Sequence, residues 1–173
     1  MQPRRLPGVA RAIAAATVAA VDAARATDAE IFSAAVARLA TLDPAQVRLV
    51  LGAVVRSLLE DLHPDGLSGA DLREALERCL RWAATWLPGT DATTLAILLT
   101  GALGVHQPDG RQQDGAEQGT DQEEDRPRAL PAPAVAEHAT LLIADLLAAT
   151  GAALADHLDR AFTEIANAEY ADS

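Results

Sequence analysis

Three aspartates, Asp61, Asp65 and Asp71, flank a Pro-Gly turn and come nearest in this chain to the spacing of a metal-binding loop. A calcium-binding helix–loop–helix takes oxygen ligands from loop positions 1, 3, 5 and 12 and has glycine at position 6. Counted from Asp61, Asp65 and Gly66 fit this pattern, but a histidine and a leucine occupy the third and last positions. A turn at Gly66 followed by a capping box of Ser68 and Asp71 explains the same residues. An EF-hand-like metal-binding helix pair is therefore the lesser alternative for this chain.

Other residues that could do chemistry match no complete motif. Glu60 and His63 have the spacing of a di-iron helix, but that site needs a second such pair and two further glutamates. His138, His157 and Cys79 have no zinc-ligand spacing, and Cys79 falls on an apolar helix face. The sequence also lacks a Gly-rich phosphate loop, a Gly-x-Ser-x-Gly motif and a Cys-x-x-Cys motif. We therefore predict no cofactor, name no catalytic residue and do not favour an enzyme.

Trp82 and Trp86 are the only tryptophans and lie one helical turn apart. Their spacing places Trp86 on the apolar side of a helix and Trp82 at the edge of that side. One interpretation is that the pair packs at the helix end, beneath the turn at Pro88 and Gly89. The other is that an exposed indole anchors a protein partner, because tryptophan is enriched among residues that dominate binding energy. Trp82 and Trp86 are thus the candidate partner-binding residues.

The charge of the chain argues against a nucleic-acid partner. The sequence has 25 acidic and 14 basic residues, and its formal net charge is −11. Binding to a phosphate backbone needs a basic surface, whereas the arginines of the helix predicted after Ser68 share their surface with acidic residues. Every basic residue is arginine and alanine is abundant, which we interpret as the codon bias of a bacterial genome.

The sequence predicts no membrane-spanning helix, because no run of about 18 apolar residues lacks a charge. An Ala-rich stretch over residues 12–21 follows two arginines, which is the outline of a secretory signal. Arg11 and Asp22 interrupt this outline. We therefore expect a cytoplasmic protein in which residues 1–10 form a mobile arm, with the secretory signal as the alternative. The single cysteine, Cys79, excludes an internal disulfide.

Helix start and stop signals organise residues 11–105 as a helical bundle core. A start signal combines a hydroxyl or acidic capping residue with a suitable first turn, and a Pro-Gly turn ends a helix. Apolar residues at helical spacing follow each start signal. The start signals are Thr27 with Glu30, Asp43 with Pro44, Ser68 with Asp71, and Asp91.

The helix predicted to begin at Asp91 carries no charge after that residue as far as Val105. A helix that is apolar on all sides is buried at the centre of its domain or covered by another subunit. We expect residues 91–105 at the centre of the bundle. Whether they form a monomer core or an interface stays open at this point.

The last third of the chain divides into an insert and a helix. Residues 106–133 are acidic and contain prolines, so they bury too little apolar surface to offset their ordering entropy, and we expect a disordered insert. Residues 134–168 have helical periodicity and are predicted to form a long C-terminal helix that completes the bundle. A continuous helix of about 35 residues spans roughly 52 Å, so it must bend near Thr150 and Gly151 or project from the domain.

These patterns predict an all-α protein, a single-domain bundle of five to six helices with a disordered acidic loop. Surplus apolar helical surface without catalytic motifs favours a non-enzymatic interaction, scaffold or regulatory module. Such a module would bind a protein partner, or a second copy of itself, through apolar helix faces. The alternative is a helical bundle whose interior binds an apolar small molecule or lipid.

Overall fold

The chain folds into helices. A computed structural model describes residues 8–104 and 129–172. Within these two ranges there are seven α-helices and no β-strand, which confirms the all-α class. In chain order the helices are α1 (Gly8–Arg25), α2 (Ala29–Thr41), α3 (Pro44–Leu62), α4 (Gly69–Ala84), α5 (Ala92–Ala102), α6 (Ala132–Thr150) and α7 (Leu154–Ala171).

Side-chain caps begin α3 and α4 where the sequence predicts them. The carboxylate of Asp43 accepts a hydrogen bond from the amide of Gln46 at 2.9 Å, and proline follows as the first residue of α3. At α4 the Ser68 hydroxyl accepts from the amide of Asp71 at 3.2 Å, while the Asp71 carboxylate accepts from the amide of Ser68 at 2.8 Å. Both caps satisfy backbone amides that have no partner within their own helix.

The start of α2 differs from the prediction, which made Thr27 the cap. Thr27 has φ of 54°, and the adjacent Asp28 caps α2 by accepting from the amide of Ile31 at 3.0 Å. The reason lies in how α1 ends. The amides of Thr27 and Asp28 donate to the carbonyls of Ala24 and Ala23, both at 3.0 Å. This is a Schellman motif, which requires a left-handed residue at the position of Thr27.

The central helix of the bundle is α6, and the prediction that residues 91–105 occupy the centre is wrong. α6 packs against α1, α2, α3, α4 and α5, and 12 of its 19 residues are buried. α5 packs against α3, α4 and α6 and buries only Thr94, Leu95 and Leu99. A helix without charged residues can be buried, but the number of helices packed around it determines whether it is buried.

In length and composition α6 alone, among the described residues, meets the criteria for crossing a membrane. Of its most apolar window, 67% is buried inside the bundle. That burial is typical of a core helix, and it accounts for the apolar character of α6 by packing against the other helices.

The C-terminal helix predicted over residues 134–168 is two helices, which is why the described residues form seven helices rather than the five to six predicted. α6 ends where Gly151 adopts a left-handed conformation, with φ of 69° and ψ of 13°. Ala153 is extended, and α7 begins at the next residue. Glycine is the residue that takes a left-handed conformation without a steric cost, so Gly151 explains where the helix breaks.

The ends of the predicted segments are only partly described. α1 begins at Gly8, so residues 8–10 of the predicted mobile arm are helical, and residues 1–7 lie outside the described residues. Of the predicted acidic insert 106–133, residues 106–128 also lie outside them. Its last two residues, Ala132 and Pro133, are in the first turn of α6.

Candidate interaction surface and buried polar contacts

The outer face of α5 is uncharged. From Ala92 to Gly104 the sequence contains no Asp, Glu, Arg or Lys. Ile97 is the large apolar side chain exposed on this helix, at 47%. Leu98 on α5 and Leu103 just beyond its end are half-buried and pack against the core. We call the surface formed by the exposed residues Ala92, Thr93, Ile97, Thr100 and Gly101 the α5 face.

A buried histidine holds α5 in place. The backbone amide of Asp91 donates to Nε2 of His138 on α6 at 3.0 Å, and Nδ1 of the same ring is 2.9 Å from the carbonyl of Ala134. Since Nε2 accepts, Nδ1 carries the proton and donates to that carbonyl. The Asp91 carboxylate in turn caps α5, and hydrogen bonds from the hydroxyl and amide of Thr94 lower the pKa of Asp91. α5 is thus fixed at its start, and its outer face has exposed positions within the described part of the chain.

The two tryptophans form an aromatic cluster with Phe32. The rings of Trp86 and Phe32 meet edge to face with centroids 5.3 Å apart, and Trp82 lies 5.5 Å from Trp86. Both indoles are half-buried against the core, and Trp86 lies beyond the end of α4 rather than on the predicted helix. Nε1 of Trp86 is buried and has no hydrogen-bond acceptor in the described part of the chain. Partner binding by Trp82 and Trp86 stays a prediction.

Asp61, Asp65 and Asp71 are not gathered into one site. The Asp61 carboxylate lies 3.4 Å from both Nη1 of Arg160 and Nε2 of His157 on α7. The Asp71 carboxylate is engaged in the capping box of α4, and Asp65 is exposed in the turn. Among the described residues no group of three His, Cys, Asp or Glu side chains is arranged to hold a metal ion. The structure therefore supplies no ligand set for the metal hypothesis.

A buried polar cluster that sequence analysis missed joins α3 to α7. The Ser57 hydroxyl lies 2.5 Å from Nδ1 of His157 and accepts a hydrogen bond from Nη1 of Arg160 at 3.0 Å. With Asp61 next to Nε2 of His157, these residues form a Ser–His–Asp relay. His157 follows Ser57 by 100 residues, so no local pattern could reveal their contact.

The relay resembles a nucleophile with its general base, but its surroundings exclude that role in this arrangement. Ser57 is 3% exposed and His157 is 2% exposed, so a substrate has no access to the hydroxyl. Ser57 is on α3 and His157 on α7, and lifting α7 to admit a substrate would separate the nucleophile from its base. Burial lowers the pKa of His157, with Arg160 acting in the same direction and Asp61 in the opposite one. The cluster therefore fastens α7 to α3.

A second missed contact crosses from α4 to the central helix. Nε of Arg78 donates to both carboxylate oxygens of Asp145, at 3.2 and 3.0 Å, and Nη2 donates to one of them at 2.8 Å. The Asp145 side chain is 7% exposed and that of Arg78 is 34% exposed. Hydrogen bonding to Asp145 raises the pKa of Arg78. This ion pair permits a carboxylate within the most buried helix.

A groove lies between α2, α3 and the start of α6, and its size bears on the alternative that the bundle binds an apolar small molecule or lipid. It is lined by Leu39, Val47 and Val135, and Arg48 spans it by donating to the carbonyl of Leu130 at 3.3 Å. The cavity volume of the groove is about 30 Å³. Ligand pockets have volumes of about 300–1,000 Å³, so this groove lends no support to that alternative.

Comparison of the chain with protein-family models, with curated proteins and with solved structures gives no match.

Proposed function

We propose that this protein is a non-enzymatic helical interaction module that binds a protein partner, or a second copy of itself, through the α5 face. The observation that supports the proposal is the pairing of an uncharged helix with incomplete burial. α5 buries three of its 11 residues, and its exposed positions carry no charge. The central part of a protein interface is depleted of charged residues, so an uncharged surface around an exposed isoleucine suits a protein partner.

Comparison with α4 shows what sets the α5 face apart. α4 also buries only three residues, but its exposed positions include charged side chains such as Arg73, Glu74 and Arg81. A single exposed apolar residue is ordinary on a protein surface. The exposed face of α5 differs in that it presents no charged group that would lose its hydration when a partner binds.

The cap at Asp91 supports a binding role for α5. The Asp91 amide donates to His138 and the Asp91 carboxylate accepts from the amide of Thr94, so the start of the helix is fixed before a partner binds. A surface that is ordered before binding loses less conformational entropy when a partner docks.

Ile97→Glu tests the proposal, with Ile31→Glu as the matched control. Both isoleucines are exposed on helices, at 47% and 57%, but Ile31 lies on α2, away from the α5 face. Each variant serves as bait in affinity purification from a native host with quantitative mass spectrometry. Each is also examined by sedimentation over a wide concentration range. Helix content from circular dichroism establishes that both variants fold.

We expect Ile97→Glu to lose a partner, or to lose self-association, by about 30-fold or more in affinity. This corresponds to about 2 kcal/mol for a hot-spot residue. Ile31→Glu should retain wild-type binding. Association that survives Ile97→Glu unchanged, or a protein that neither self-associates nor retains any partner through this residue, would contradict the proposal.

A further inference from the structure

We infer that α7 is an exchangeable helix that also docks on α3 of a second copy of this chain. The resulting dimer contains a continuous helix formed by α6 and α7. Four features carry the inference: the peripheral position of α7, the specificity of its contacts, the hinge that precedes it, and the uncapped start of the helix. The exchange uses α7 and α3 rather than the α5 face, so it is independent of the proposed function.

α7 is attached to the bundle through one principal neighbour. It packs mainly against α3 and to a smaller extent against α1. Of its 18 residues only His157, Leu158 and Ala161 are buried, whereas α6 buries 12 of 19. Lifting α7 therefore leaves the packing of α6 against its five neighbours in place.

The contacts of α7 with α3 are specific to these two helices. Arg56 on α3 pairs with Glu164 at 2.5 Å, and the Ser57 hydroxyl is bonded to His157. Asp61 is 3.4 Å from Arg160, one turn beyond His157. Each of these contacts joins α3 to α7, so α7 from a second copy reproduces them without change. Two reciprocal exchanges close a twofold dimer.

The hinge between α6 and α7 requires little change to become helical. Only Gly151, Ala152 and Ala153 separate the two helices, and Gly151 alone has a left-handed conformation. No proline occurs after Pro133. A continuous helix from Ala132 to Ala171 has about 40 residues and a length of about 60 Å, which carries α7 away from its own α3.

The start of α7 favours the continuous form. Its capping position is Ala153, and no side chain caps its first turn. A continuous helix would pair the amides of that turn with carbonyls at the end of α6, where the Leu147 carbonyl already accepts from the amide of Gly151 at 2.8 Å. Gly151 holds the compact form, since it adopts the left-handed conformation readily and is a poor helix former.

Gly151→Ala is the variant that shifts this equilibrium, with Gly151→Asn as its control. A Cβ at position 151 meets no atom within 4 Å, so both substitutions act through backbone conformation. Alanine disfavours the left-handed conformation and favours the helix, by about thirtyfold per hinge in total. With two hinges in each dimer, we expect Gly151→Ala to raise the dimer association constant by roughly a thousandfold. Asparagine tolerates the left-handed conformation and should leave the protein near its wild-type state.

Cross-linking distinguishes an exchanged dimer from any other dimer. One chain carries Arg56→Cys and a second carries Glu164→Cys, both in the Gly151→Ala background, and a short bis-maleimide is added to the mixture. Cys79 can remain, because it is buried and burial raises its pKa to about 12. An exchanged dimer joins the two chains at these positions. A control mixture contains Glu30→Cys and Glu164→Cys chains. Because Glu30 is exposed on α2, the cross-link yield of this mixture measures random collision between chains.

The molecular mass from light scattering and the cross-link yield together show whether an exchanged dimer forms. A Gly151→Ala dimer that cross-links between positions 56 and 164 of different chains, and that persists with Ile97→Glu, supports the inference. A Gly151→Ala protein that stays monomeric, or a dimer that shows only the collision yield, overturns it. If Gly151→Ala does not fold, the same cross-link is measured with the wild-type hinge after refolding at high concentration. A collision-level yield there also overturns it.

Discussion

Replacing Arg78 with leucine removes the cation that pairs with a carboxylate in the central helix. Asp145 on α6 accepts three hydrogen bonds from Arg78, at 3.2, 3.0 and 2.8 Å, and its side chain is 7% exposed. In Arg78→Leu the carboxylate keeps its burial and loses its partner. We expect this variant to lower the free energy of unfolding.

The size of the effect follows from the exposure of the two partners. Removing one member of a buried ion pair costs about 3–5 kcal/mol, and water that reaches the one-third exposed Arg78 places this pair near about 3 kcal/mol. The loss corresponds to a fall in melting temperature of about 6–12 °C for a domain of this size. Asp145→Asn should cost less, about 1–2 kcal/mol, because the remaining guanidinium can turn toward solvent.

Denaturant unfolding monitored by circular dichroism measures these values. The double variant Arg78→Leu with Asp145→Leu removes both charges and should recover to within about 1 kcal/mol of the wild type. Arg81→Leu is the control on the exposed side of the same helix, with an expected change below about 0.5 kcal/mol. If Arg78→Leu costs no more than Arg81→Leu, or if the double variant is less stable than Arg78→Leu alone, the ion pair does not have the role we give it.

Two further predictions concern the core and the acid response. Ile143→Ala on α6 should cost about 2–5 kcal/mol in chemical denaturation and Ile97→Ala on α5 less than about 1 kcal/mol, because the first side chain is fully buried and the second is 47% exposed. Equal losses of unfolding free energy in the two variants would indicate that Ile97 is as buried as Ile143, and that α5 is as central as α6. Since burial lowers the pKa of folded His157 below 6.5, the unfolded chain takes up the proton first, and this residue's contribution to stability is complete above pH 6.5 and declines as the pH falls below it. His157→Asn should therefore reduce the pH dependence of the unfolding free energy between pH 6.5 and the lower pKa of the folded state. If the slope in this range is unchanged, other groups cause the decline.

Local sequence determined most of the secondary structure. Capping residues such as Asp43 and Ser68 act within one turn, so their role follows from neighbours three residues away. The apolar residues that follow the start signal of α3 recur at helical spacing, and eight residues of this helix are buried. Thr27 shows the limit of this reasoning, since the way α1 ends decided that Asp28 rather than Thr27 caps α2.

Tertiary structure decided the rest, because it depends on contacts between residues distant in sequence. The charge-free pattern of α5 allowed burial, but neighbours on all sides were available only to α6, which tolerates Asp145 through its pairing with Arg78. The Ser57–His157 contact joins helices about 100 residues apart and has no local signal. Sequence determined which segments are helical and which faces are apolar, and the packing of those faces decided which helix is central and which face stays open.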